Sequence, residues 1–296
     1  MSNNPFADLS IRTGLAWSNN AGYILACNPD IEEKIPHVKI FQWRSGKLLE
    51  TWAQFNAHSV CRISLPETGI VFLSSEGFYG IHSSTSHTGN IFDKSHPDPE
   101  EDRYGSFRSV SAIAGKSYAV GLRGMVYRLD DLDVWTRIDD GLSSEFDVQA
   151  IDGFNQNDIY AVGSSGELSH YNGKRWTKYD LPTNMNLTSV KCAGDGVVYL
   201  VGHDGVMIRG RRDSWSVIHH EETMDDLWDV EWFDNKLYVS TMTNVYRLQG
   251  DNLRQLDFKD NPPKSCYHLS TADGVIWSIG EYDVLSFDGK RWIRII

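Results

Sequence analysis

The chain has only four cysteines in 296 residues, and Cys27, Cys61, Cys192 and Cys266 lie far apart with no CxxC pair among them. That spacing fits neither a zinc site nor a redox motif, so the four are expected to be buried small apolar residues in a reducing compartment. No apolar run is long enough to span a bilayer, and the opening MSNNPFADLSIRTGLAW lacks a basic segment followed by an apolar one. The expected location is therefore the cytoplasm. Positive charge is also in deficit, with 28 Lys and Arg against 40 Asp and Glu, a formal charge of −12. Such a balance argues against a general nucleic-acid or anionic-membrane binder, because both targets need a basic contact surface, and it favours a cationic partner. Sustained helical patterning is absent too.

Catalytic signatures are equally scarce. No GxGxxG opens a helix, and neither GxxxxGK[ST] nor GxSxG occurs. His219 and His220 precede Glu221 and Glu222, but adjacent residues on a strand point to opposite faces and cannot easily share one ion. The sequence is thus read as non-catalytic, with no metal and no cofactor.

What is present is a repeat. DIYAVGSSGELSHYNGKRW, ending at Trp176, aligns with segments ending at Trp135, Trp215 and Trp292, and with a worn copy that has Leu253 in place of Trp. The aromatic residues opening these segments, Tyr118, Tyr160, Tyr199, Tyr238 and Trp277, are spaced by 42, 39, 39 and 39 residues. Phe72 and Tyr23 extend the series upstream, which makes seven units.

Each unit reads as four short strands with turn residues such as Asn172-Gly173 and Asp288-Gly289 before the last. One such meander cannot bury both of its faces, whereas seven packed radially cover one another. The expected fold is all-β, a seven-bladed β-propeller of four-stranded antiparallel blades in one domain, residues 1–296. The blades fall at about 11–55, 56–105, 106–145, 146–185, 186–225, 226–262 and 263–296. The repeated Trp should fill the space between neighbouring blades. Closure should need no strand exchanged between the termini.

The unit resembles the degenerate aVGssG…hydG..W repeats of bacterial propellers of the sialidase-like and photosystem-assembly-factor-like kind, well over 106–296 and weakly over 11–105. FDGKRW and YNGKRW are also similar to relaxed Asp-boxes of sialidase propellers, where that motif is a fold feature remote from catalysis. The resemblance implies architecture and carries no activity with it. A sialidase-like carbohydrate-binding or hydrolytic propeller would need an arginine cluster, and Arg12, Arg62, Arg103, Arg108 and Arg123 match no such family motif. A scaffold or assembly factor is the other alternative.

Connections alternate between the two ends of a propeller, so each loop can be assigned to one of them. The loops joining strand two to three and blade to blade share an end. On it fall Asp30, Glu32 and Glu33, then Asp98, Glu100, Glu101 and Asp102, then Asp139, Asp140 and Glu145, then Glu221, Glu222, Asp225 and Asp226. Less Lys34 and Arg103, these account for the whole −12. Arg44, Lys47, Lys174, Arg175, Arg209, Arg211 and Arg212 are expected at the opposite end. The insertions DIEEKIP and SHPDPEEDRYG exceed ordinary connections and are candidate binding elements, and Trp228 beside four carboxylates is a candidate anchor.

These carboxylates with Trp228 form the expected partner-binding set. Small bacterial propellers that lack catalytic motifs include immunity proteins against secreted antibacterial toxins. Resemblance to them implies a binder that neutralises a basic protein, with a nuclease-type toxin as the fitting example. No direct contact with nucleic acid or membrane is expected, and the chain alone should be a monomer.

Overall fold

The computed structural model describes residues 5–32, 34–92 and 106–296. Twenty-eight strands form seven four-stranded antiparallel sheets, each made of consecutive strands. The first strands, Ser10–Ser18, Ala57–Ile63, Phe107–Ile113, Val148–Asn155, Leu187–Cys192, Asp229–Phe233 and His268–Ala272, pack side by side in a closed ring about a central channel. The second strands are the most deeply covered. Ile70–Leu73, Tyr118–Val120, Ile159–Val162 and Val198–Val201 are buried throughout, because both faces of a middle strand lie against neighbouring blades. The outer strands expose one face to solvent, and the only α-helix among the described residues is the single turn Pro29–Glu32.

The repeated Trp does fill the gaps between blades. Trp176 of blade four is buried among Ile113, Tyr118 and Val126 of blade three, and its indole Nε1 donates to the Ile138 carbonyl at 2.7 Å. Trp135 meets Tyr79 of blade two edge-on at 5.5 Å, and Trp292 is buried against Phe233 and Tyr238 of blade six. Trp215 reaches Tyr160 of blade four at 6.0 Å but stays half-buried. Leu253, the worn copy, fills its position against Tyr199 of blade five. A smaller apolar side chain thus keeps the packing in place of an indole.

The G-x-x-G turn between strands two and three explains the most visible part of the repeat. In Gly121–Gly124, Gly163–Gly166 and Gly202–Gly205 the third and fourth residues both have positive φ. A Cβ on Gly124, Gly166 or Gly205 would lie 2.4 to 2.6 Å from a carbonyl of the following interblade loop, so only glycine allows that approach. The amide of the third residue is held from the same loop: Arg123 by Asp147 Oδ1 at 3.1 Å, Ser165 by Asn186 Oδ1 at 2.9 Å and Asp204 by Asp226 Oδ1 at 3.0 Å. These latches put both kinds of loop on one end of the ring.

Blades seven and one close the ring without sharing a strand. Ile11, Ile24 and Phe41 pack with Trp277, Ile279 and Val284, and Phe6, Ile295 and Ile296 cover the same seam. All four cysteines are free thiols; Cys27, Cys61 and Cys266 are buried, while Cys192 is half-buried against the apolar cluster between blades four and five. Among the described residues no helix is long and apolar enough to cross a membrane.

Candidate functional site

The latched end carries the charge asymmetry. Among the described residues its loops hold eighteen Asp and Glu against four basic side chains, Lys34, Arg123, Lys259 and Lys264. Asp30 and Glu32 lie on the helical turn between strands two and three of blade one. Asp139, Asp140 and Glu145 lie in the loop entering blade four, and Glu221, Glu222, Asp225 and Asp226 in the loop entering blade six, with Trp228 at its close. Glu33, Asp98, Glu100, Glu101 and Asp102 fall outside the described residues. The structure therefore gathers the remaining candidates on one end, but in separate sectors of the ring.

They are not equally free to meet a partner. Glu32 is engaged by Arg12, which also donates to Cys27 Sγ at 2.9 Å, and burial first of all drives the Cys27 thiol up to about 11. Asp139 pairs with Arg137 at 2.6 Å, and Asp226 latches the Asp204 amide. Asp30, Asp140, Glu145, Glu221, Glu222 and Asp225 are exposed.

The charge count missed an apolar component. Most of the large hydrophobic side chains left exposed by the fold stand on this same end: Ile31, Ile35, Met185, Met224, Trp228, Met242 and Tyr282, with Phe78 opening a third strand there. Five of these form an arc over blades four to seven, threaded by backbone contacts. His203 N meets Asn186 O beside Met185, Trp228 N meets Ser240 O, and Cys266 N meets Met242 O. Exposed Met and aromatic side chains among carboxylates match the composition of protein interfaces better than that of an inert surface. The sequence signal available was the loss of glycine from the G-x-x-G turn, which becomes Thr241-Met242-Thr243-Asn244 in blade six and, with only the first glycine kept, Gly280-Glu281-Tyr282-Asp283 in blade seven.

The opposite end carries the basic residues assigned to it. Lys174, Arg175 and Arg212 do lie in its hairpins, with Arg44, Lys47, Arg209 and Arg211 on the adjoining strand ends. Two of the seven are paired, Arg209 with Asp251 and Arg211 with Asp158, each at 2.6 Å, and the loops of the same end also carry Asp133, Asp195, Asp213, Asp234, Asp273 and Asp288. It is a mixed surface and not a basic one.

The channel, about 480 Å³, is polar. Asp229 lies 2.8 Å from His268 and accepts from Ser189 and the Leu269 amide, while Lys191 lies 2.8 Å from Glu231 and 3.8 Å from Asp152. Burial alone would raise the Asp229 carboxyl, but the bond and charge of His268 together with the Leu269 amide and Ser189 hydroxyl outweigh it and hold it below the ordinary range. Burial pulls His268 down, and Asp229 more than reverses this. Lys191 is held cationic by Glu231 and Asp152 in spite of its burial. These groups join the inner strands of blades four to seven. Arg12 is committed to Glu32, and Arg62 stacks on Trp17 at 4.2 Å, so neither is available to a carboxylate ligand. His220 Nε2 lies 2.8 Å from the Gly205 carbonyl, and among the described residues no group of three or more His, Cys, Asp or Glu could hold a metal ion.

Fold and surface together define a seven-bladed propeller with one acidic, apolar-studded end. No family model matches the chain. It is 38% identical over 301 residues to the immune protein Tsi7 of Pseudomonas aeruginosa PAO1, covering 96% of each chain, and it belongs to that protein's family. Among solved structures it resembles the WD40 propeller domain of Doa1, with a TM-score of 0.67 and 11% identity over 97% of this chain and 92% of that one. YCF48 bound to D1 peptide is similar at a TM-score of 0.67 and 13% identity, over 94% and 91%. At such identities these two likenesses concern the fold alone.

Proposed function

We propose that this chain is a non-catalytic immunity protein that binds and neutralises a toxin through its acidic end, in the cytoplasm of the cell it protects. The family relative supports the immunity role, since it is named an immune protein. The eighteen carboxylates against four basic groups on one end support a basic partner, because such a field speeds encounter and fixes orientation. A nuclease-type toxin fits best: its own active surface is basic in order to hold phosphates, and an array of carboxylates competes for the same groups. The single observation that carries the reading is the coincidence of charge and exposed Met, Trp and Tyr side chains on that end.

The test is a binding assay between the purified chain and candidate basic toxins of nuclease type. A stoichiometric complex that silences the toxin, with association slowing steeply between low and high salt, is the expected result. A complex whose association ignores salt, or no complex, would sink the acidic-end reading.

A further inference from the structure

Trp228 stands at the mouth of the central channel, 38% exposed, where the acidic end meets the buried ionic groups of the inner strands. Its amide is fixed by the Ser240 carbonyl at 2.8 Å, and its ring meets His203 edge-on at 5.9 Å, so the indole is held in place before any partner arrives. Asp204 follows His203, and Asp225 and Asp226 lie on the loop that delivers Trp228. Among the described residues Asp204 and Asp225 have no ion-pair partner. Met224, 75% exposed, lies against Gly205 on the same turn, and Met242 is two residues from Ser240.

Two other aromatic rings of the chain already have a cation. Lys264 Nζ lies 5.6 Å from the centre of Tyr282, and Arg62 covers Trp17. Trp228 has no such intramolecular cation among the described residues, although indole is the best aromatic acceptor of one. A fixed, uncovered indole beside unpaired carboxylates is complementary to a planar cation, and guanidinium suits it better than ammonium because it also stacks.

We propose that Trp228 is the anchor of the partner interface and receives an arginine of the basic partner across its ring. Asp204 and Asp225 balance the guanidinium, and Met224 and Met242 cover its aliphatic stem. This rests on the reading that the acidic end is the binding face. It narrows that face to one residue and one partner side chain.

The experiment uses the full chain labelled with ¹⁵N-tryptophan, with the Trp228 indole signal identified by Trp228→Phe. It is titrated at low salt with a hexa-arginine amide and with its uncharged hexa-citrulline counterpart. The arginine peptide should move the Trp228 signal and the citrulline peptide should not, and Trp228→Leu should weaken arginine-peptide binding about tenfold at an unchanged melting temperature. Suppose the arginine peptide binds and is lost on reversing Glu221, Glu222 and Asp225 to Lys, yet the Trp228 signal stays still and Trp228→Leu binds equally. The anchor is then overturned while the acidic-end reading stands. If the arginine peptide does not bind at all, both fall.

Discussion

The Tyr267 hydroxyl donates to the Ile11 carbonyl at 3.0 Å, across 256 residues of sequence. With Ile11 N on Glu281 O at 2.8 Å and Ala16 N on Ser270 Oγ at 3.0 Å, it fastens blade seven to blade one where other propellers can exchange a strand. Tyr267→Phe should cost about 1 kcal/mol, one net hydrogen bond. Gly22→Ala should cost more, about 1 to 3 kcal/mol, because its Cβ would lie 2.1 Å from Trp277 Cη2 in the same seam. Urea unfolding measures both; equal midpoints for Gly22→Ala and the parent would show that the seam does not close as described.

Trp176→Ala should destabilise the chain by about 3 to 5 kcal/mol, since it leaves a cavity between blades three and four and orphans the Ile138 carbonyl. Trp215→Ala should cost clearly less, because that indole is only half-buried. The order of the two melting temperatures is the observable.

Charge reversal at the acidic end has to respect the latch. Asp226 supports the Asp204 turn, and in the preceding blade Asn186 does the same for Ser165, so Asp226→Asn preserves the bond while removing the charge. Combined with Lys at Glu221, Glu222 and Asp225, it should leave the melting temperature nearly unchanged and slow association with a basic toxin by about tenfold or more at low salt. Stopped-flow association over a salt series reads this directly. Asp226→Lys alone should lose about 1 kcal/mol with the latch.

The His268–Asp229 pair sets a pH dependence. His268 titrates above its ordinary 6.5 in the folded chain, so its contribution is complete below that pH and is lost as pH rises through the raised value. Asp229 titrates below its ordinary 3.8, so its contribution is present above that pH and is lost as pH falls through the depressed value. Stability should therefore decline from weakly acid toward alkaline pH, and His268→Gln should flatten that decline. Denaturant midpoints from pH 5 to 9 that are parallel for parent and variant would refute the assignment.

Lys191→Met should cost about 3 to 5 kcal/mol near neutral pH, because it leaves Glu231 and Asp152 in the channel wall without their cation. Part of the loss should return at acid pH as Glu231, whose carboxyl burial pushes up, protonates, a recovery that a mere packing defect would not show.

Much of this was legible along the chain. Spacing by about forty residues marks the seven blades, and Trp135, Trp176, Trp215 and Trp292 mark the outer strands, because repeated units solve one packing problem repeatedly. Alternation of loop ends then places Asp139, Asp140, Glu145 and the carboxylates near Glu221 together, since a meander leaves no other choice. Pattern could not tell which carboxylates are already spoken for: Glu32 is taken by Arg12, twenty residues away, and Asp226 by a turn of the preceding blade. Nor could it show Met185, Met224, Met242 and Tyr282 as exposed on the same end as Trp228, because methionine and tyrosine read as core in any repeat. Local sequence determines strands and turns through short-range sterics and hydrogen bonds. Which polar group finds a partner, and which apolar one is left without cover, depends on contacts between blades that only closing the ring brings together.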